Sequence, residues 1–417
     1  MKLIIREAKI IDPQSPFHNK TVDILIIDGL IKEIGQSLSN TENFDELKLE
    51  NLHVSKGWFD SSVSLGEPGF EDRETISNGL TVAAKSGFTA IALQPNTYPI
   101  LDNQSQVNFV LNKAIGFATE LFPIGALSKE SAGKDMAELF DMKKAGAIAF
   151  GDYNKSVANA NVLKIALQYV QDFDGLIVAF CQDENIKGNG VANEGIVSTR
   201  LGLKGNPSLA EELQIARNLF LLEYTGGKLH IPTISTARSV ELIAQAKASG
   251  LDVSCSVAVH HLVLTDEKLE EFDTRYKVLP PLRTESDRQA LLHGVQNGTI
   301  DMITSDHNPI DVEHKKMEFD GAKDGTIGLE SAFGALMTVL PLEIIINKLT
   351  TGKTRFGLEM QSIDAGAKAN LTLFDPEVQS IYTKSSIASK SKNSAFLDME
   401  MQGKVHGIVN KGQLILS

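Results

Sequence analysis

Cysteine is nearly absent: Cys181 and Cys255 are the only two in 417 residues, and they lie far apart. Two such residues cannot form a disulfide framework, so a reducing cytoplasm is the expected compartment. No apolar run reaches the length needed to span a bilayer. The opening segment Met1–Arg6 lacks the long apolar core and small-residue cleavage site of a signal peptide. Clustered positive charge is missing as well. The chain has 40 Lys and Arg against 53 Asp and Glu, a formal net charge of -13. That balance argues against nucleic-acid or anionic-membrane partners, both of which favour clustered cations. Low-complexity segments and short-period repeats are also lacking.

Both ends of the chain are rich in β-branched runs. At the N-terminus these are Lys2 to Ile11, Val22 to Ile27 and Leu30 to Ile34, the last two separated by the turn pair Asp28-Gly29. At the C-terminus they are Asn370 to Phe374, Met399 to Met401, Val405 to Asn410 and Gln413 to Leu416. The Ser- and Lys-rich run Lys384–Lys392 reads as a solvated loop. Residues 1–55 and 350–417 are therefore expected to pair into a small β-sandwich around a separate central body.

That body, residues 56–349, alternates. Short apolar runs at Gly57–Asp60, Thr89–Leu93, Leu121–Gly125, Ala147–Phe150, Leu176–Phe180, Lys228–Ile234, Asp252–Val257 and Asp301–Thr304 are separated by helix-periodic stretches. Eight such repeats give an α/β fold, the count of a (β/α)8 TIM barrel, with an open doubly wound sheet as the alternative. In a barrel the chemistry sits on the loops after the strands. The residues to inspect are then Ser61–Ser64, Gln94–Thr97, Gly151-Asp152, Cys181–Asp183, Ser235-Thr236, His260-His261 and Ser305–Pro309.

Five segments in chain order resemble dihydroorotases of the amidohydrolase superfamily, of the type found beside aspartate transcarbamoylase. Asp60-Ser61-Ser62-Val63-Ser64-Leu65-Gly66-Glu67-Pro68-Gly69 is similar to the family's Asp-x-His-x-His-Leu-Arg-Glu-Pro-Gly. Leu93–Thr97 resembles Met-Pro-Asn-Thr, and Tyr276–Arg283 resembles Tyr-Lys-Val-Asn-Pro-Pro-Leu-Arg. Gly298–Pro309 resembles Gly-Thr-Ile-Asp-x-Ile-x-Thr-Asp-His-Ala-Pro, and Gly328-Leu329-Glu330 matches Gly-Leu-Glu. The resemblance implies an amidohydrolase barrel, a role in pyrimidine biosynthesis, a homodimer, and aspartate transcarbamoylase as a partner.

Hydrolysing a cyclic amide requires an activated water and a polarised carbonyl, both of which a Zn²⁺ ion supplies. The resemblance places the metal ligands at Ser62, Ser64, Asp152, Phe180, Thr233 and Asp306. The four positions that hold histidine in the family, Ser62, Ser64, Phe180 and Thr233, have all lost it. A serine hydroxyl is a poor Zn²⁺ ligand beside imidazole, carboxylate or thiolate. The family's substrate-clamping Arg corresponds to Gly66, and the Asn of its Pro-Pro segment to Leu279. Asp306 reads either as a surviving proton shuttle or as a vestigial carboxylate. Asp152 reads as a metal bridge or a hydrogen-bonded carboxylate at the barrel mouth. Asn96 and His307 match substrate-binding positions. Strand alternation puts His230 on the face opposite Thr233, and Cys181 pointing away from the site.

The expectation is a non-catalytic homologue, binding no cofactor and kept for assembly. The alternatives are an active cyclic amidohydrolase with a reduced or rebuilt zinc site, and a small-molecule binding module with a polar pocket at Ser62, Ser64, Asn96 and Asp306.

Overall fold

The computed structural model describes residues 1–417. Eight parallel strands run in sequence order: Trp58–Val63, Phe88–Leu93, Glu120–Gly125, Ala149–Phe150, Leu176–Val178, Lys228–Ile231, Val253–Ala258 and Met302–Thr304. Each matches one of the apolar runs, and the open-sheet alternative fails at the edges. The first and last strands meet, with Val63 bridging His307 in parallel and the Ser64 N–H donating to the His307 carbonyl at 2.7 Å. The chain is a (β/α)8 barrel.

Helices follow most strands, and polar caps decide where they begin. Thr75, Thr236 and Thr284 each accept a hydrogen bond from the backbone N–H three residues on, opening helices Ile76–Lys85, Ala237–Ala248 and Glu285–Gln296. Inside the barrel lies a small apolar layer that includes Phe59, Ala90, Ala92, Ile124, Val178 and Met302. Small residues on the second strand leave room there for Phe59 and Phe356, whose ring centroids are 5.3 Å apart.

The chain termini share one eight-stranded sheet. Its order is Gln413–Leu416, Glu400–Asn410, Leu371–Ile381, His53–Lys56, Lys2–Ile11, Thr21–Ile27 and Leu30–Gly35, with Asp45–Lys48 beside Lys2–Ile11. The Asp28-Gly29 turn has positive φ at both positions (50° and 77°), as a two-residue hairpin of this hand requires. Sheet and barrel join at Gly57, where a Cβ would lie 1.9 Å from the Asn370 side chain and 2.2 Å from Thr89. Next to it, fully buried Trp58 packs on Phe88, Phe333 and Phe374.

One expectation is refined. Lys384–Lys392 is a loop with six of its nine residues exposed, and it is also a strap tied to the barrel. Glu330 accepts hydrogen bonds from the backbone N–H groups of Ala388 and Ser389, and Glu74 accepts one from Lys390. Ser389 is fully buried. Two carboxylates on distant parts of the chain supply anchors that local composition does not reveal. No helix is long and apolar enough to cross a membrane.

Phe374→Ala removes a fully buried ring packed on Trp58 and Phe333 and is expected to destabilise the protein by about 3 to 5 kcal/mol. The midpoint of urea unfolding, followed by emission of the single tryptophan, Trp58, measures it.

Candidate active site

The site is built on the seam between the first and last barrel strands. Asp60 is fully buried there, and its carboxylate accepts hydrogen bonds from the backbone N–H groups of Ser62 (3.0 Å) and Ser305 (2.9 Å) and from the Thr304 hydroxyl. A register shift between Asp60 and Val63 interrupts the first strand, and Ser62 turns into the barrel. The Ser62 hydroxyl donates to Asp306 Oδ1 at 2.9 Å and accepts from Gln94 Nε2 at 3.2 Å. Ser64 and Asn96 pair, their side chains 2.8 to 3.0 Å apart, at the rim.

Asp306 sits in the left-handed region (φ 48°), an unusual conformation for a residue other than glycine. Burial pushes its carboxyl up to about 7, the negative charge of Asp60 adds to this, and the hydroxyls of Ser62 and Tyr153 oppose it. His307 is fully buried and neutral, held down to about 3 by burial. Its Nδ1 accepts from the backbone N–H groups of Gly328 and Leu329 at 3.2 and 3.4 Å. The Gly-Leu-Glu segment thus holds His307 with its first two residues and the strap with its third.

Ser62, Phe180, Thr233 and Asp306 converge, and together with Gln94, Tyr153 and Leu279 they surround a cavity of about 10 Å³. That is at the threshold for a single water. Asp152 does not join them. Its carboxylate accepts from the Ser128 backbone N–H (3.0 Å) and hydroxyl (2.5 Å), across the mouth of the neighbouring strand. The inward position after the fourth strand belongs instead to Tyr153, also left-handed (φ 56°), which lines the same cavity as Asp306 and favours its charged form. Sequence reasoning missed Tyr153 because period-two alternation does not survive a left-handed residue.

The same cause corrects His230. Thr233 has φ 48°, which ends the sixth strand at Ile231 and lets Thr233 face inward without fixing His230 outward. His230 is buried beneath the site, its ring nitrogens 2.9 Å and 3.2 Å from the Ser254 and Ser256 hydroxyls and its ring 5.6 Å from Phe356. Cys181 turns to the helix Ser208–Thr225, where Asn218 Nδ2 donates to its Sγ at 3.3 Å. His261 bonds the carbonyls of Pro280 and Pro281. Arg283 is buried against Asn193, Asn206 and Ser235.

The sequence is similar over nearly its full length to proteins named dihydroorotase. It is 39% identical over 424 residues to the dihydroorotase of Pelotomaculum thermopropionicum, covering 100% of this chain and 99% of that one. It is also 39% identical over 413 residues to the dihydroorotase of Ruminiclostridium cellulolyticum, covering 97% and 96%. A family model described as dihydro-orotase-like matches residues 53–239. The chain belongs to the dihydroorotase family. Among solved structures, the L-hydantoinase (dihydropyrimidinase) of Arthrobacter aurescens superposes with a TM-score of 0.87 at 22% identity, covering 100% of this chain and 96% of that one. A D-hydantoinase gives 0.84 at 21%, covering 100% and 95%. These two share the barrel fold of this chain.

A zinc ion does not fit the donor set of this family member. The ligand positions that converge, Ser62, Phe180, Thr233 and Asp306, offer one carboxyl, two hydroxyls and a phenyl ring. The second carboxyl, Asp152, is held away on Ser128, and no three His, Cys, Asp or Glu side chains are placed to hold a metal ion.

Because Asp306 holds its proton more tightly in the folded state than in the unfolded chain (about 3.9), folding is most favoured below the unfolded value. That advantage is lost as pH rises through about 7. Asp306→Asn is expected to flatten the fall in stability between these two limits. Tyr153→Phe, which removes the hydroxyl that favours the charged form, is expected to move it to higher pH. Urea midpoints across this range measure both.

Proposed function

We propose that this chain acts in cytoplasmic pyrimidine biosynthesis as a dihydroorotase-family protein without metal-dependent hydrolysis, retained as a homodimer for assembly with aspartate transcarbamoylase. The observation that carries the reading is the filled site. Where a hydrolase needs a metal and a water, Tyr153, Phe180, Thr233 and Leu279 surround about 10 Å³ beside a single carboxyl. Loss of the arginine clamp at Gly66 points the same way, because a charge-assisted fork is what orients a substrate carboxylate. A backbone with positive φ (76°) occupies that position, where a Cβ would lie 2.5 Å from the Phe70 carbonyl oxygen. Asn96 is engaged by Ser64, and His307 by the Gly328-Leu329 backbone, so both positions matching substrate binders now support the scaffold.

One observation favours the second reading, residual hydrolysis with a reduced zinc site around Asp306. A carboxyl titrating at about 7 is tuned for proton transfer near neutrality. Asp306 would then shuttle a proton between water and the leaving nitrogen, but the cavity leaves no room for both water and a ring.

Interconversion of dihydroorotate and carbamoyl aspartate by the purified chain, with and without added Zn²⁺, separates the two readings. No turnover above that of the Asp306→Ala variant is expected. Turnover that disappears in Asp306→Ala would overturn the non-catalytic reading. Co-elution with aspartate transcarbamoylase on size exclusion tests the assembly role, and elution of both at their separate positions would count against it.

A further inference from the structure

Outside the filled inner site, the barrel mouth opens into a cavity of about 620 Å³, separated from it by Asn154 and Leu279, which border both. A cavity of that volume is within the range that holds a small ligand. Its wall carries five cationic side chains, Arg73, Lys187, Lys204, Lys277 and Lys323, against two carboxylates, Asp320 and Asp324. This concentration of positive charge stands out in a chain whose formal net charge is -13. The cations come from separate loops at the C-terminal face, those following the first, fifth, seventh and eighth strands.

Two of the five have a carboxylate partner, Lys187 with Glu184 at 3.4 Å and Arg73 with Asp311 at 3.2 Å, and the other three have none. Lys204 and Lys323 are exposed and form no ion pair. Arg73 gives only its Nε to Asp311, at 3.2 Å, which leaves the two Nη groups free to fork onto an oxyanion. Lys277 is buried, and its ammonium donates to the backbone carbonyls of Phe319 and Asp320 at 2.7 and 3.0 Å, not to a carboxylate. Burial holds Lys277 below the ordinary lysine range, with the charge of Asp324 opposing that effect. Collecting more cations than carboxylates around a concave surface costs free energy through mutual repulsion, and a bound anion returns it. The net excess of positive charge calls for more than one negative charge on the ligand.

We propose that the barrel mouth is a binding site for a small polyanion bearing two or more phosphate or carboxylate groups, held by Arg73, Lys187, Lys204, Lys277 and Lys323. The site lies above the inner cavity and uses none of the positions that match metal ligands. It needs no chemistry, so it holds whether or not the inner site turns over dihydroorotate.

Calorimetric titration of the full chain at low salt with inorganic pyrophosphate, and separately with citrate, tests this. At least one is expected to bind with Kd below about 1 mM. Lys204→Glu combined with Lys323→Glu is expected to weaken that binding by about tenfold or more. Both residues are exposed, so the urea midpoint should stay unchanged, and Lys85→Glu on the far face should bind as the parent does. Binding of pyrophosphate alone assigns a phosphorylated ligand, and binding of citrate alone a polycarboxylate; either supports the site. Failure of both to bind, or undiminished binding by the double variant, would overturn it.

Discussion

The barrel closes around one buried carboxylate. Asp60 brings together backbone N–H groups and a hydroxyl from the first and last strands, the pair that have no sequential neighbour to hold them in register. A buried charge is tolerated only when its acceptor capacity is filled, and the seam fills it. The bulge at Ser62 and the left-handed Asp306 flank that arrangement on the two strands it joins. Burial makes a charge at Asp306 costly, and the neighbouring carboxylate of Asp60 adds to that cost. Removing Asp60 would therefore disturb the seam and the site together.

Much of what resembles a dihydroorotase motif serves the scaffold in this chain. Arg283 ties three segments through Asn193, Asn206 and Ser235. Gly328 packs so closely on Ser305 that a Cβ would lie 2.4 Å from its carbonyl oxygen, and its N–H helps fix His307. Glu330 and Glu74 hold the strap. Such motifs can persist when catalytic ligands do not, because they specify strand closure and loop packing. The two roles separate physically: the scaffold needs satisfied backbone groups, whereas hydrolysis needs open space and ligand lone pairs.

The free space lies outward of the inner site. Phe180, Tyr153 and Leu279 fill the inner site with ring and aliphatic volume, while the mouth beyond it keeps a large polar cavity with excess positive charge. Fold likeness to hydantoinases says nothing about either change, since both lie in side chains on a common backbone.

Alternating apolar runs and helical stretches determined the eight barrel strands, and paired β-rich ends determined the terminal sheet. Period-two and period-3.6 burial are local consequences of backbone geometry. Sequence likewise determined the missing histidines, since a ligand's chemistry is carried by its identity. Tertiary structure alone decided which neighbours face the site. Tyr153 in place of Asp152, His230 beneath the site and Thr233 at its edge each depend on left-handed residues that reset alternation. It also decided the fate of Lys384–Lys392, whose anchors Glu74 and Glu330 lie far away in the chain. Hydrogen bonds and cavities between distant segments are set by the folded geometry, and no local pattern encodes them.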